Sequence, residues 1–194
     1  MAPYEATADG IGENTDGQGF LASVRTVAEP AGQRALVLGA GGAARAIAVE
    51  LALAGASEIW VANRNITKAA DIADLVNSAT SCTCSAIGWR EDLAVPESAT
   101  LVVNATSLGL PGSGEVRLDL DANSRDLLVC DVIPNPLDTS FLQRARQAGA
   151  TTVDGRGMLL EQAAINIKLW PDIDSDREVM GSALNQAITD WAHP

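Results

Sequence analysis

Cysteine, histidine and long apolar runs are scarce or absent in this sequence. It has 3 cysteines and 1 histidine among 194 residues. The cysteines are odd in number and no histidine cluster stands near them, which argues against a disulfide framework and against a zinc site. We interpret them as reduced packing residues of a cytoplasmic protein. The single histidine, His193, stands beside the C-terminus, and we expect no catalytic role for it.

Basic residues are also few, and this narrows the classes of partner. Lysine and arginine total 13 against 25 acidic residues, which gives a formal net charge of −12 at pH 7. A surface this acidic argues against nucleic acid or an anionic membrane as a partner. It leaves an anionic ligand open, because backbone dipoles and one or two basic side chains can bind phosphate. No apolar run reaches transmembrane length and no signal or transit peptide is recognisable, so we expect no membrane association.

A glycine-rich turn between an apolar run and an alanine-rich helical pattern is the most informative stretch. The apolar run covers residues 35–38, and Gly39, Gly41 and Gly42 follow it. Gly39 permits a tight turn, Gly41 lets the backbone approach a pyrophosphate, and Ala44 is small enough for helix and strand to pack closely. The free N–H groups and the positive dipole end of the helix then face the phosphates. The pattern predicts a dinucleotide-binding turn. The alternative is a glycine-rich turn kept only for close packing.

The end of the second predicted strand, at about residues 58–62, indicates which dinucleotide is bound. An NAD site usually places Asp or Glu there, where the carboxylate binds the ribose 2′-hydroxyl. This chain has Asn63 and Arg64 instead, with Lys68 a little further on. With no carboxylate to repel a 2′-phosphate, Arg64 could receive it as a planar fork and Lys68 as a point charge. The pattern favours NADP over NAD; alternatively, Arg64 and Lys68 are ordinary solvated residues at a helix start.

Strands and helices alternate along the rest of the chain. Besides those already named, strands are predicted at about residues 82–87, 101–103, 127–130 and 151–153. A first helix is predicted from a cap at residues 14–16 to an end before Pro30, and further helices are predicted at about 42–54, 67–77, 140–148, 158–169 and 176–191. Alternation of this kind predicts an α/β fold with a doubly wound, parallel, six-stranded sheet covered on both faces. We expect residues 1–13 to form a short N-terminal segment with a hairpin turn at Asp9-Gly10, and residues 14–194 to form the domain. Residues 112–125 are predicted as a loop and 154–157 as a turn.

Five motifs occur in the order and spacing of the shikimate dehydrogenases, and the sequence resembles that family from about residue 10 to residue 169. The motifs are Asn14-Thr15-Asp16-Gly17, Gly39-Ala40-Gly41-Gly42-Ala43, Asn63-Arg64, Asn104-Ala105-Thr106-Ser107, and the stretch from Asp154-Gly155 through Met158 to Gln162. The resemblance implies an NADP-binding Rossmann domain from an enzyme that reduces 3-dehydroshikimate to shikimate with NADPH in aromatic amino-acid biosynthesis. Some members of the family act on quinate, and some use NAD.

The resemblance also implies roles for individual residues. Asp16 would belong to a catalytic lysine–aspartate pair, although a plain helix-capping role is the alternative for it. Gln162 would hydrogen-bond the ring hydroxyls of the substrate. The implied cofactor-binding residues are Gly39, Ala40, Gly41, Gly42 and Ala43 at the pyrophosphate, Asn63, Arg64 and Lys68 at the adenosine ribose and its 2′-phosphate, and Asn104, Thr106, Val132 and Gly155 along the nicotinamide half.

Two departures from the family pattern shape the functional hypothesis. The family's substrate domain, which carries the carboxylate-binding serines and the catalytic lysine, has no counterpart in residues 1–13, and neither Lys68 nor Lys168 matches the motif of that lysine. Pro134 stands where the family usually has a substrate-contacting tyrosine, which indicates a divergent branch.

We therefore expect the cofactor-binding half of a shikimate-type dehydrogenase that acts on shikimate or a quinate-like substrate. We expect its substrate domain to be either truncated or supplied by a separate polypeptide, and a homo-oligomer is the other assembly that we expect. The alternative is an NADP-binding module without dehydrogenase activity of its own, with a regulatory or assembly role.

Overall fold

A computed structural model describes residues 14–90, 92–120, 124–170 and 172–192 of the chain. The helices are α1 (Thr15–Arg25), α2 (Gly42–Leu53), α3 (Ile66–Ala79), α4 (Ser140–Gln147), α5 (Gly155–Leu169) and α6 (Arg177–Ala192). The strands are β1 (Arg34–Leu38), β2 (Glu58–Asn63), β3 (Thr83–Gly88), β4 (Leu93–Ala94), β5 (Leu101–Asn104), β6 (Leu118–Asp119), β7 (Leu128–Asp131) and β8 (Thr151–Val153). The predicted N-terminal segment with its hairpin turn, and His193, lie outside the described residues.

Six of these strands form one sheet in the order β3-β2-β1-β5-β7-β8. Every neighbouring pair in it is parallel. The chain builds outward from β1 to β3 and then returns to the other side of β1, so the strand order reverses between β1 and β5. The carboxyl ends of strands on either side of such a reversal form a ligand crevice. The predicted doubly wound, six-stranded parallel sheet is confirmed.

Both faces of the sheet are buried, which explains why its strands are apolar rather than alternating. In β1, Ala35 and Val37 belong to the core on one face, and Leu36 and Leu38 to the core on the other. Successive side chains of a strand point to opposite faces, so helices must cover both sides. In the described residues, no helix combines the length and the apolar character that crossing a lipid bilayer requires. Cys82, Cys84 and Cys130 are buried and form no disulfide, in agreement with their predicted packing role.

Two glycines allow helix α1 to pack closely between α2 and α5. A Cβ atom on Gly17 would lie 2.6 Å from the carbonyl oxygen of Ala46 on α2, and one on Gly19 would lie 2.7 Å from the backbone nitrogen of Gln162 on α5. Only glycine permits these close approaches. The helix therefore brings its first turn, with Asp16, against α5.

Two predictions of local structure were wrong. Residues 154–157 are not a turn, because Asp154 caps α5 and its Oδ1 accepts a hydrogen bond of 3.0 Å from the backbone N–H of Arg156. The stretch 112–125 is not only a loop, because it contains β6, which pairs in parallel with β4 through Leu93 and Leu118. A glycine-rich helix start looks like a turn in sequence, and two-residue strands are too short to show a period.

Candidate functional site

The turn after β1 has the tight geometry that its glycines predicted. Gly39 has a φ of +106°. Residues other than glycine rarely adopt this backbone conformation. Its N–H donates to the carbonyl of Ala62 at 2.8 Å. A Cβ atom at this position would also lie 2.7 Å from the carbonyl oxygen of Ala105. Gly39 thus lets the ends of β1, β2 and β5 meet at one point.

The N-terminus of α2, which follows this turn, presents unused hydrogen-bond donors. Gly41 caps the helix without a side-chain hydrogen bond, and the first backbone bond runs from the N–H of Arg45 to the carbonyl of Gly41 at 3.0 Å. The N–H groups of Gly42, Ala43 and Ala44 therefore have no acceptor among the described residues. A Cβ atom on Gly41 or Gly42 would meet nothing within 4 Å. The result is an open cradle of N–H groups at the positive end of a helix, which suits a phosphate.

A cleft of about 490 Å³ opens beside this cradle at the carboxyl ends of the strands. Its volume lies within the range of about 300–1,000 Å³ that is typical of small-molecule sites. Six predicted residues line it, namely Gly39, Ala40, Gly41, Asn63, Arg64 and Thr106. Ala105 and Ser107, which belong to the motif around Thr106, also line it. The other described residues of the lining, which the sequence did not single out, are Trp89, Arg90, Leu108, Ser113, Glu115 and Arg117.

The cleft is basic although the protein as a whole is acidic. Arg64, Arg90 and Arg117 line it with exposed side chains, and Glu115 is the one carboxylate among the described residues of the lining. None of the three arginines makes a hydrogen bond or an ion pair with a described residue. Three guanidinium groups that have no carboxylate partner in the described part of the chain make the cleft attractive to an anion. Arg90 and Arg117 lie in loops without a recognisable motif. Only Arg90 follows a strand end, which could have signalled it, and the sequence carries no such signal for Arg117.

Of the three residues assigned to the adenosine ribose and its phosphate, Asn63 and Arg64 line the cleft and Lys68 does not. Asn63 ends β2 in the cleft, and its Nδ2 donates to the carbonyl of Asn65, the cap of α3, at 2.9 Å. This bond fixes the chain on both sides of Arg64. Lys68 is exposed in the first turn of α3 and does not line the cleft. The structure therefore brings Arg64, but not Lys68, to the predicted site.

Asn104 lies behind the cleft rather than in it. The residue is fully buried. Its Nδ2 donates to Asp131 Oδ1 and to the carbonyl of Leu108, both at 2.9 Å. Its Oδ1 accepts from the hydroxyl of Thr106 at 2.7 Å and from the backbone N–H of Thr106 at 3.2 Å. With all its polar groups used inside the protein, Asn104 shapes the turn that presents Thr106 to the cleft.

Asp131 completes this network from the neighbouring strand, and the sequence had not singled it out. Besides Asn104, its carboxylate accepts from the backbone N–H of Ile133 at 3.1 Å and from the hydroxyl of Thr139 at 2.7 Å. Burial raises the pKa of Asp131, and the three hydrogen bonds oppose that rise. The available signal was an aspartate at the end of an otherwise apolar strand. The structure pairs it in register with Asn104.

Val132 and Gly155, both assigned to the nicotinamide half, lie side by side. The N–H of Val132 donates to the carbonyl of Asn104 at 3.1 Å, which extends the pairing of β5 and β7. A Cβ atom on Gly155 would lie 2.7 Å from the carbonyl oxygen of Val132 and 2.5 Å from that of Ile133. Gly155 therefore lets the start of α5 press against the loop that follows β7. Neither residue lines the 490 Å³ cleft.

Asp16 and Gln162, the predicted catalytic and substrate-binding residues, contact each other. Gln162 Nε2 donates a hydrogen bond to Asp16 Oδ1, and both side chains are partly buried. Asn14, not Asp16, caps α1, since Asn14 Oδ1 accepts from the backbone N–H of Asp16 at 3.1 Å. The capping role that was the alternative for Asp16 is thereby wrong. The Asp16 carboxylate is left to face α5.

Comparison with known proteins supports a particular family. The family model for shikimate / quinate 5-dehydrogenases matches residues 22–111. A shikimate dehydrogenase (NADP(+)) from Desulforamulus reducens is 38% identical over 184 residues, which are 92% of this chain and 63% of that protein. The corresponding enzyme from Methanopyrus kandleri is 41% identical over 179 residues, which are 89% of this chain and 62% of that protein.

Solved structures give the same picture. A ligand-free 5-ketofructose reductase of Gluconobacter sp. strain CHM43 is 46% identical with a TM-score of 0.86, over 90% of this chain and 63% of that one. A Thermus thermophilus shikimate 5-dehydrogenase in complex with NADP(H) and shikimate is 32% identical with a TM-score of 0.74, over 90% of this chain and 62% of that one. The chain thus spans somewhat less than two thirds of the length of these relatives. Over this length the chain is similar to members of the shikimate dehydrogenase family.

Proposed function

We propose that this chain binds NADP and forms the cofactor-binding part of a cytoplasmic dehydrogenase that interconverts 3-dehydroshikimate and shikimate in aromatic amino-acid biosynthesis. The observation that carries the proposal is the basic cleft beside the open N-terminus of α2, at the end of a strand that lacks a terminal carboxylate. The names of the relatives, which are NADP-dependent shikimate dehydrogenases, agree with it.

The residues present fit a dinucleotide with an extra phosphate. The N–H groups of Gly42, Ala43 and Ala44 would hold the pyrophosphate, in a cradle that any side chain on Gly41 would enter. Arg64 would hold the 2′-phosphate. The turn at Thr106 would contact the nicotinamide half of the cofactor, which would extend toward Val132 and Gly155. When bound, the reduced nicotinamide supplies the hydride. The protein's task is to fix its position and to exclude the wrong orientation.

Replacing Arg64 should separate NADP from NAD. Arg64→Ala removes a charge-assisted fork, so we expect the Kd for NADP to rise about 10- to 100-fold and the Kd for NAD to change less than about 2-fold. Isothermal titration calorimetry measures both. Arg125→Ala, which removes an exposed arginine outside the cleft, is the matched control. Equal losses for both nucleotides would contradict a role at the 2′-phosphate.

The lysines of this chain do not reach Asp16, and this favours an active site to which polypeptide outside these residues contributes. Lys168 pairs with Asp172 at 2.9 Å and with Asp174 at 3.2 Å, and Lys68 lies on α3. Reduction of a ketone needs a proton donor beside the developing alkoxide, and the family resemblance gives that role to a lysine paired with the aspartate. We infer that the proton donor and the carboxylate-binding groups come from polypeptide outside these 194 residues, whether joined to them or separate.

These 194 residues alone should therefore bind NADP without oxidising shikimate. The test is an absorbance assay of NADPH formation with shikimate and NADP, on a preparation whose NADP binding has been measured. The Thermus thermophilus enzyme serves as the positive control. Turnover at a comparable rate would contradict the inference, whereas binding without turnover would also be the behaviour of a regulatory or assembly module.

A second candidate substrate is a keto-sugar. The 46% identity to a 5-ketofructose reductase exceeds the 28% and 32% identities to two shikimate dehydrogenase structures, and Pro134 replaces the tyrosine expected in the shikimate enzymes. Both reactions reduce a ketone to a secondary alcohol, so the cofactor site serves either one. Assaying the polypeptide that carries this chain with NADPH and each ketone, 3-dehydroshikimate and 5-ketofructose, distinguishes the two by their kcat/KM values.

A further inference from the structure

Two neighbouring strands, β5 and β7, end in the same local structure. Their last residues, Asn104 and Asp131, are paired in register. Asn104 Oδ1 accepts a hydrogen bond of 3.2 Å from the backbone N–H of Thr106. Asp131 Oδ1 accepts one of 3.1 Å from the backbone N–H of Ile133. In each case the side chain binds the N–H two residues further on, which is an Asx-turn. The last side chain of each strand therefore fixes the turn that follows it.

One hydrogen bond joins these two turns. Asn104 Nδ2 donates to Asp131 Oδ1 at 2.9 Å, so a single oxygen atom binds both this amide and the N–H of Ile133. We call the bond between Asn104 Nδ2 and Asp131 Oδ1 the Asn104–Asp131 bridge. Both residues are buried, with 0% and 2% of their surfaces exposed. Because water cannot replace either partner there, loss of the bridge leaves a buried group unpaired.

The bridge holds two segments that the proposed function assigns to the nicotinamide half of the cofactor. Thr106 follows β5 and lines the cleft, and its hydroxyl donates to Asn104 Oδ1 at 2.7 Å. Val132 follows β7, and its N–H donates to the carbonyl of Asn104 at 3.1 Å. The position of Thr106 relative to Val132 therefore depends on how Asn104 and Asp131 are joined.

The second carboxylate oxygen of Asp131 has a separate partner. Oδ2 accepts from the hydroxyl of Thr139 at 2.7 Å, and that hydroxyl accepts from the N–H of Leu142 at 3.3 Å. Thr139 is the N-cap of α4 and does not line the cleft. The carboxylate thus uses Oδ1 for the two turns and Oδ2 for an anchor on a packed helix. The two kinds of contact can be removed one at a time.

We propose that Asp131 is a positioning residue for hydride transfer, because its Oδ1 fixes the Thr106 turn relative to Val132 and so aligns the nicotinamide half of NADP. The inference rests on the proposed function and adds to it a residue that does not itself line the cleft. Hydride transfer requires the ring to be held against the ketone carbon, and a displacement of about 1 Å can cost on the order of 10²-fold in rate.

Asp131→Ser and Asn104→Ser break the bridge from its two ends. A serine hydroxyl can still bind the N–H two residues further on, but it is too short to reach the side chain of the neighbouring strand. For each variant we expect the Kd for NADP to rise about 5- to 20-fold. The Kd for adenosine 2′,5′-bisphosphate, which lacks the nicotinamide half, should change less than about 2-fold. The double variant should lose no more than the more affected single variant, because both changes remove the same contact.

Two matched variants separate positioning from stability. Asp131→Asn keeps an oxygen in the place of Oδ1 and presents an amide NH2 to the hydroxyl of Thr139, which can accept from it. Thr139→Val removes the partner of Oδ2 and leaves the bridge in place. Both variants should retain the parent's Kd for both ligands within about 2-fold, although urea denaturation should show that Thr139→Val is less stable than the parent. All titrations use calorimetry in trimethylamine N-oxide, which favours the folded state of every variant.

The outcomes distinguish this inference from the function on which it rests. A loss confined to NADP in a serine variant, with both matched variants unaffected, supports the role of Asp131, and either serine variant decides if the other does not fold. An equal loss for both ligands, a similar loss in Thr139→Val, or no loss in the serine variants overturns that role while NADP binding by the parent stands. If the parent binds neither ligand, the proposed function fails as well.

Discussion

Gly41→Asp should abolish NADP binding while leaving the protein at least as stable as before. Gly41 caps α2 with φ −91° and ψ −169°, an extended conformation open to any residue. A Cβ atom there meets nothing within 4 Å. An aspartate at this position would accept hydrogen bonds from the free N–H groups of the first turn and complement the helix dipole, adding about 0.3–1 kcal/mol of stability. Its carboxylate would then occupy the place of the pyrophosphate.

We expect the Kd of Gly41→Asp for NADP to rise more than about 100-fold, because like charges oppose each other and the donors are already used. Gly41→Ser is the control, since its hydroxyl caps the helix without a charge and should lose less affinity. Thermal unfolding and calorimetric titration of both variants separate stability from binding. Normal NADP binding by Gly41→Asp would show that the phosphates do not lie at the N-terminus of α2.

Asp131→Ala should lower the free energy of unfolding by about 3–5 kcal/mol. The substitution deprives three buried donors of their acceptor, namely the Asn104 amide, the Ile133 N–H and the Thr139 hydroxyl. Each buried donor left unpaired costs about 1–3 kcal/mol. Asp131→Asn retains an acceptor oxygen for part of the network and should lose less than half as much. Urea denaturation of the parent and both variants measures the differences, and equal losses in the two variants would contradict this account.

The stability of the protein should depend on pH because Asp131 is buried and its pKa is raised. The folded-state pKa of Asp131 is raised above the ordinary 3.8. Between the ordinary and the raised pKa the folded state binds more protons than the unfolded state, so stability from this group is complete below 3.8 and declines as the pH rises through the folded-state value. The advantage of the parent over Asp131→Asn should therefore shrink from acid toward neutral pH. A difference that is constant with pH would argue that Asp131 has no raised pKa.

The main sheet was predictable because it depends on local pattern. Six apolar runs separated by helical periods can bury both faces only as parallel strands with crossover helices, and the observed bounds of those six strands lie within one residue of the predicted ones. The glycine turn was predictable for a similar reason. Gly39 adopts a positive φ, and the N-terminus of α2 stays open at Gly41, because glycine has no side chain.

The lining of the site depended on tertiary contacts that no local pattern contains. Arg90 reaches the cleft because β2 and β3 are in register, and Arg117 because two short strands pair. Asn104 resembled a ligand-binding residue at a strand end, yet Asp131, distant in sequence, pairs with its amide. Lys68 had suitable spacing in sequence, but in the structure it is exposed on α3 and does not line the cleft.

The arginines of the cleft lie outside the packed layers of the domain, and this affects how coenzyme preference can evolve. Arg64, Arg90 and Arg117 are exposed, so exchanging them removes no core volume, and such surface changes usually alter stability by less than about 0.5 kcal/mol. Coenzyme preference can then drift along a lineage while the architecture is conserved. Relatives that share this scaffold but use different nucleotides are the expected result.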